Sequence, residues 1–236
     1  MALTTDLVSY YKLDGDSNDS VGSNDGTDTS VSYVAGKIGD AAQLAGTSKI
    51  LIPSQSAFNL QSSFTILAWV YQTSRGKSGC YEEGIVCKDN ETTGNRCFNF
   101  VISGPADSGN VGKLRFIYNA VDNISLYSTS TIPLDEWTLV GIVSTNGTYT
   151  FYKNGTSIGN GNTNITPAYQ GTASLFIGKE INNQYVESMI GKIDEVGIWS
   201  RALTSDEISE IYNSGDGITY PFGKDSSNTI FLSNNF

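Results

Sequence analysis

Histidine is absent from all 236 residues. That removes Ser-His-Asp and Cys-His catalysis, imidazole-ligated zinc and histidine-based pH switching together. Cysteine is scarce: only Cys80, Cys87 and Cys97 occur. An odd number within one short stretch is no disulfide framework, although Cys87 and Cys97 fall where neighbouring strands would permit one bridge. Zinc held by these three would need a fourth ligand, and the sequence offers none. No apolar run approaches the length of a membrane-spanning helix. The start, Met1-Ala-Leu-Thr-Thr-Asp6, has neither a basic stretch nor an apolar core and reads as no secretory signal.

Charge is also sparse and one-sided. Charged residues make up 16% of the chain, and 24 acidic against 14 basic residues leave a net charge of -10. Nucleic acid and anionic lipid surfaces both need a basic footprint, so neither is an expected partner. An acidic, histidine-free chain that binds a metal would bind a hard cation through oxygen. What the chain does have is a globular composition, with 39% hydrophobic and 11% aromatic residues. The 25 glycines, with abundant Ser, Thr and Asn, suit short strands joined by turns. The length fits one all-β domain.

Strand-like stretches recur throughout. They are Leu7–Leu13, Ala41–Ala45, Lys49–Ile52, Phe64–Tyr71, Gly84–Lys88, Arg96–Ser103, Lys113–Asn119, Ile124–Ser130, Trp137–Val143, Thr148–Lys153, Leu175–Lys179 and Met189–Trp199. Most are rich in β-branched or aromatic residues and bounded by turn chemistry. In Lys113–Asn119, alternation puts Leu114, Phe116 and Tyr118 on one face and Arg115 and Ile117 on the other. Asn154-Gly155 tolerates positive φ at both positions and predicts a type I′ hairpin. The strong strands claim Trp69, Trp137 and Trp199 for the core. Asp14 to Asp28 reads as a polar loop. No repeat or linker divides the chain.

One helix is well signed. Thr204 is a good N-cap, and Glu207 three residues later completes a capping box. Leu203 and Ile208 sit at hydrophobic-staple spacing. Ile208, Ile211 and Tyr212 form one apolar face, and Gly215 is placed to end the helix in a left-handed turn.

Several stretches carry a family resemblance. Leu7-Val-Ser-Tyr-Tyr-Lys-Leu-Asp-Gly15, followed by Asn18-Asp-Ser-Val-Gly-Ser-Asn-Asp-Gly26, resembles the opening of laminin-G-like, concanavalin A-like domains. Phe64-Thr-Ile-Leu-Ala-Trp-Val70 is similar to their central strand. Glu136-Trp-Thr-Leu-Val-Gly-Ile-Val143 through Asn154-Gly155 is similar to their strand pair and hairpin. Ile177-Gly-Lys179 with Gly191-Lys-Ile-Asp-Glu-Val-Gly-Ile-Trp-Ser-Arg-Ala-Leu203 is similar to their closing strand and helix. The resemblance implies an all-β, antiparallel jelly-roll sandwich over residues 1–217 with one short C-terminal helix. It leaves residues 218–236 as a tail for packing or assembly, where a second copy or a virion neighbour would attach. Asn213-Ser-Gly-Asp-Gly-Ile-Thr-Tyr-Pro-Phe222 also resembles copies of the domain on phage tails and other virion surfaces.

The same resemblance implies a glycan-binding module that often holds calcium. In such domains the opening loop packs near the Asp of the closing strand. This makes Asp19, Asn24 and Asp194 the expected ligands of a structural Ca2+, within a loop that also holds Asp14, Asp16, Asp25 and Asp28. The competing reading is a solvated turn whose Asp and Asn side chains bond the backbone. For a sugar, exposed aromatic faces and amide or carboxylate groups on loops are the suitable chemistry. Tyr81, Asn119, Asn183 and Tyr185 are the expected contacts, on loops that also carry Glu82, Glu83, Asp107, Asp122 and Asn123. Glycanase chemistry needs two carboxylates on one strand face. Asp194 and Glu195 are adjacent, as are Glu82 and Glu83, so alternation sends each pair to opposite faces. The expectation is therefore a binding module and not an enzyme. It would act in adhesion to a glycan or cell-surface receptor, outside the cell or on a virion, without membrane insertion. The alternative is a virion decoration or fibre component acting through protein contacts.

Overall fold

The computed structural model describes residues 2–89, 97–118, 124–162, 172–181 and 186–223. In chain order the strands are β1 (Leu7–Tyr11), β2 (Thr27–Thr29), β3 (Ser32–Ala35), β4 (Asp40–Ala45), β5 (Lys49–Ile52) and β6 (Phe64–Gln72). Then come β7 (Glu82–Asp89), β8 (Phe98–Ser103), β9 (Lys113–Tyr118), β10 (Ile124–Thr131), β11 (Thr138–Thr145) and β12 (Thr148–Lys153). The last are β13 (Thr156–Asn162), β14 (Ser174–Ile177), β15 (Lys179–Ile181), β16 (Val186–Ser188) and β17 (Ile190–Trp199), followed by helix α1 (Ser205–Tyr212). Two sheets pack face to face, as the jelly-roll expectation requires. The first runs β13-β12-β11-β6-β17-β4-β3, with β1 also on β17. The second runs β10-β9-β8-β7-β14-β5-β2, with the β15–β16 hairpin joined to β7. Pairing is antiparallel except where Ser188 of β16 meets Gly84 of β7.

Alternation explains how the sheets bury their side chains. Phe64, Ile66, Ala68 and Val70 of β6 point into the inter-sheet core, while Leu67 and Trp69 point to the outer face of the first sheet. Both sets are buried, so β6 reads as a continuous apolar run. From β9, Leu114, Phe116 and Tyr118 share one face as predicted, and that face is the core, while Ile117 joins a small outer cluster with Cys87 and Val101. The core is knit by aromatic pairs such as Tyr118–Tyr149 at 5.4 Å and Phe116–Tyr149 at 5.5 Å. Each adds about 0.5–1.5 kcal/mol beyond its buried area. The Asn154-Gly155 turn forms with both φ values positive, at 50° and 77°.

Helix α1 begins as its sequence dictates. Glu207 N donates to Thr204 Oγ1 at 3.2 Å, and Thr204 N donates to the Glu207 carboxylate at 2.9 Å. Both Arg201 Nη groups reach that carboxylate at 2.8 Å, holding it below the usual carboxylate range. The helix ends on Asn213, left-handed at φ 47°, two residues before the expected Gly215; asparagine tolerates this conformation because its short side chain bonds locally. Leu203, Ile208 and Ile211 bury against Leu67, Trp69 and Trp199.

Three expectations change. β2 begins at Thr27, inside the loop expected over Asp14–Asp28, and β3 forms where no strand was expected. Cys87 faces outward and Cys97 inward, so no bridge joins the two. Trp137 precedes β11 and is half-buried, edge-on to Tyr71 at 5.6 Å. Of the expected tail, Ile218, Tyr220 and Phe222 pack on the outer face of the first sheet, with Phe222 edge-on to Tyr10 at 5.1 Å. Residues 224–236 lie outside the described residues.

Candidate functional site

The second sheet presents one built rim. It starts where β7 begins, at Cys80 and Tyr81. Gly104 N bonds Tyr81 O at 2.9 Å and Ala106 N bonds Cys80 O at 2.8 Å, tying the 73–81 loop to the 104–112 loop. Gly112 N bonds Ser103 O at 2.8 Å, Ile132 N bonds Gly112 O at 2.7 Å, and Arg75 reaches Gln72 and the Ile132 carbonyl. Loops laced this way hold their side chains in place without help from a ligand. On this rim Tyr81 is 49% exposed, the most exposed large apolar side chain among the described residues.

Beside Tyr81 the outward side chains of β7, β9 and β10 form a polar cluster. Arg115 bonds Glu82 Oε1 at 2.9 Å and lies 3.7 Å from Asp107 Oδ2. Its Nε and Nη2 reach Ser125 Oγ at 3.2 and 2.8 Å, and its guanidinium lies 5.3 Å from the centre of the Tyr127 ring. Burial, with Asp107 nearby, raises the Tyr127 hydroxyl pKa, so Tyr127 stays a donor. Two buried oxygens here find no donor or acceptor in hydrogen-bonding geometry, Ser103 Oγ and Asp107 Oδ2. Unmade hydrogen bonds of this kind are costly unless something completes them. An exposed aromatic face beside unfilled hydroxyl and carboxylate groups can stack on and hydrogen-bond a polyhydroxylated ligand.

Of the expected ligand contacts, Tyr81 stands on this rim. Asn119, Asn183 and Tyr185 lie outside the described residues. Tyr118, the last described residue before Asn119, stands at the far end of β9 from the Tyr81 rim. Sequence reasoning missed Arg115, Ser103 and Tyr127. The signal was there for Arg115, which alternation had set on the face opposite Leu114, Phe116 and Tyr118.

The opening loop is built differently from a metal site. Asp19 Oδ1 accepts from Tyr10 N at 3.1 Å and Val21 N at 3.0 Å. Its Oδ2 accepts from Ser9 Oγ at 2.9 Å, Asn24 N at 3.3 Å and Asn24 Nδ2 at 3.0 Å. Asp25, Asp14 and Asp16 likewise accept from Asp19 N, Asp40 N and Asn18 N. These carboxylates cap turns, and N–H dipoles occupy the lone pairs a cation would need. Asp194 accepts from Lys37 N at 2.8 Å and Ile38 N at 3.1 Å, backbone donors that Asp19 does not use. Among the described residues no three Asp, Glu or Cys side chains converge to hold a metal. Asp19, Asn24 and Asp194 as arranged do not fit calcium.

Asp194 and Glu195 also depart from expectation. A β-bulge interrupts the pairing of β17 with β6 there, and Glu195 takes a left-handed φ of 50°. Ile193 and Val196 both point into the core, so the extra residue leaves Asp194 and Glu195 together on the outer face. They are 0% and 3% exposed. Burial pushes their pKa values up to about 7 and about 8. Tyr10 OH donates to Glu195 Oε2, while Asp194 Oδ1 and Glu195 Oε1 find no donor. The pair shares a face yet reaches no solvent.

The sequence profile of the concanavalin A-like lectin/glucanase superfamily matches residues 44–209. The chain belongs to that superfamily. No curated protein sequence matches it. Among solved structures, this superfamily member is similar to domain 4 of AbnA, a GH43 extracellular arabinanase from Geobacillus stearothermophilus, solved with arabinotriose. The TM-score is 0.69 at 22% identity, over 86% of this chain and 97% of that one. It is similar to the binding domain of Paraclostridial Mosquitocidal Protein 1, with TM-score 0.66 and 19% identity, over 89% of this chain and 52% of that one. It is similar to a mutant Trypanosoma rangeli sialidase displaying trans-sialidase activity, with TM-score 0.68 and 17% identity, over 95% of this chain and 35% of that one. At these identities the likenesses establish the fold, which binding domains and glycosidases both contain. No helix among the described residues is long and apolar enough to cross a membrane.

Proposed function

We propose that this superfamily member is a non-catalytic carbohydrate-binding module that works by adhesion to a glycan-bearing surface, outside the cell or on a virion. The observation that carries the reading is the rim at Tyr81. A half-exposed aromatic ring stands beside the Arg115–Glu82–Asp107 cluster, where Ser103 Oγ has no hydrogen-bond partner and Asp107 Oδ2 meets the Arg115 guanidinium only at 3.7 Å. Sugar rings stack on aromatic faces and satisfy such oxygens with hydroxyls. The arabinanase domain solved with arabinotriose supports the substrate class. Against catalysis, Glu82 is bonded to Arg115, and Asp194 and Glu195 are sealed from solvent. No observation favours the virion-assembly alternative, because Ile218, Tyr220 and Phe222 pack on their own sandwich.

A glycan array probed with the wild-type domain and with Tyr81→Ala tests the proposal. Selective binding by wild type and its loss in the variant are expected. Binding to no glycan would count against the carbohydrate reading.

A further inference from the structure

A lysine is buried at the inter-sheet core. Lys88 of β7 is paired with Phe98 of β8 and Leu175 of β14, both core residues, so its stem enters the core beside them. It is 1% exposed. Its Nζ donates to Asn59 Oδ1 at 2.9 Å and lies 3.9 Å from Cys97 Sγ. Asn59 follows the short turn Ser56–Phe58 that comes after β5, and its backbone is held on both sides. Asn59 N donates to Ser56 O at 3.0 Å, and Gln61 Nε2 donates to Asn59 O at 3.1 Å. Phe58 and Leu60, its neighbours in the chain, are buried. Cys97 N donates to Lys88 O at 3.0 Å, which seats the thiol beside the lysine.

A buried ammonium is costly, and a lysine taken out of water shifts toward its neutral amine. Burial holds Lys88 below the usual lysine range, while Cys97 beside it pulls the other way. A neutral amine is a nucleophile. One that is fixed against a carbonyl group has an effective concentration far above any reached in solution. Lys88 Nζ is fixed in this way against the carboxamide of Asn59.

We propose that Lys88 and Asn59 are a covalent modification site, at which the two side chains join in an intramolecular amide. Lys88 Nζ attacks Asn59 Cγ. The Nζ–Cγ bond forms and the Cγ–Nδ2 bond breaks. A proton from the attacking amine passes by way of Cys97 Sγ to the departing nitrogen, which leaves as ammonia. One amine and one carboxamide become one secondary amide, and no electrons are exchanged. Asn59 is half-buried, which gives the ammonia a way out. The bond clamps the segment after β5 to β7 and closes a covalent loop from Asn59 to Lys88, a constraint on the unfolded chain like that of a disulfide. It does not depend on the Tyr81 rim or on what binds there.

The test is mass spectrometry of the full chain, intact and digested, freshly purified and again after prolonged incubation folded in neutral buffer. The expected mass is below the sequence value by about 17 Da, the mass of one ammonia. Trypsin should then fail to cut after Lys88 and should release one branched peptide joining the Asn59 and Lys88 segments. Asn59→Ala, a change at a half-buried turn residue, should keep the full sequence mass with an unchanged circular dichroism spectrum. Cys97→Ser nearly keeps the side-chain volume but gives and takes a proton less readily, and should slow conversion on the order of tenfold. Conversion of that variant at the wild-type rate would overturn the proton route. A full sequence mass after incubation, with trypsin cutting after Lys88, would overturn the proposal. So would the same mass loss with unbranched peptides, which would mark a succinimide at an Asn-Gly pair such as Asn154-Gly155 instead.

Discussion

The two outer faces of the sandwich are finished in opposite ways. On the first sheet, Leu67, Trp69, Leu139 and Trp199 point outward and are roofed by Leu3, α1 and the 218–222 segment, forming a second core. On the second sheet, among the described residues, the outer apolar cluster is Cys87, Val101 and Ile117, and beside it stand Arg115, Ser125 and Tyr127, while α1 packs on the other sheet. The difference separates folding from function. A face whose apolar side chains are roofed is spent on stability. A face left open, with a polar cluster and an exposed tyrosine at its rim, is the one free to meet a ligand.

The comparison can be broken most forcefully at Trp199, whose indole Nε1 donates to Leu3 O at 2.7 Å in the roofed core. Trp199→Ala should cost about 3–5 kcal/mol in urea unfolding, as large-to-small core changes do. An effect below about 1 kcal/mol would mean the roof is not a core. Next is pH. Asp194 and Glu195 have folded pKa values above those of the unfolded chain, at about 7 and about 8, so the folded state holds protons the unfolded state has released. Their stabilising contribution is fully present below the unfolded carboxylate range and is lost as pH rises toward 8. Within that window each group removes up to about 1.4 kcal/mol per pH unit. Melting temperature should fall across it, and Asp194→Asn with Glu195→Gln should flatten the profile. A profile rising with pH in both proteins would contradict the burial of the pair.

Smaller still is the helix cap. Thr204→Ala removes the acceptor for Glu207 N and should cost about 1 kcal/mol in the same urea assay. At the open rim, Tyr81→Ala should change stability by no more than about 0.5 kcal/mol, because the ring is half exposed. A larger loss would show that Tyr81 supports the fold rather than a ligand.

Most of the fold was legible because its signals are local. The alternation of Lys113–Asn119, the Asn154-Gly155 turn and the Thr204–Glu207 box each depend on a few neighbouring residues, and each formed as predicted. The misreadings are long-range. No sequence pattern announces the bulge that brings Asp194 and Glu195 to one face, because it depends on the pairing of β17 with β6. Acidic spacing in the opening loop resembles a cation loop until Ser9 and Tyr10 are seen to donate to Asp19. Tyr81 could be chosen from the sequence as a loop aromatic. Ser103 could not, since its unfilled hydroxyl matters only once β8 is folded beside Glu82.

The central claim is that glycan binding belongs to the open face. Its most direct test is amide shift mapping with the tightest glycan from the array. Shifts confined to Tyr81, the 104–112 loop, Arg115 and Tyr127, with Trp199 and α1 unmoved, are the predicted result. Shifts centred on α1 and the 218–222 segment, with the Tyr81 rim unmoved, would contradict it.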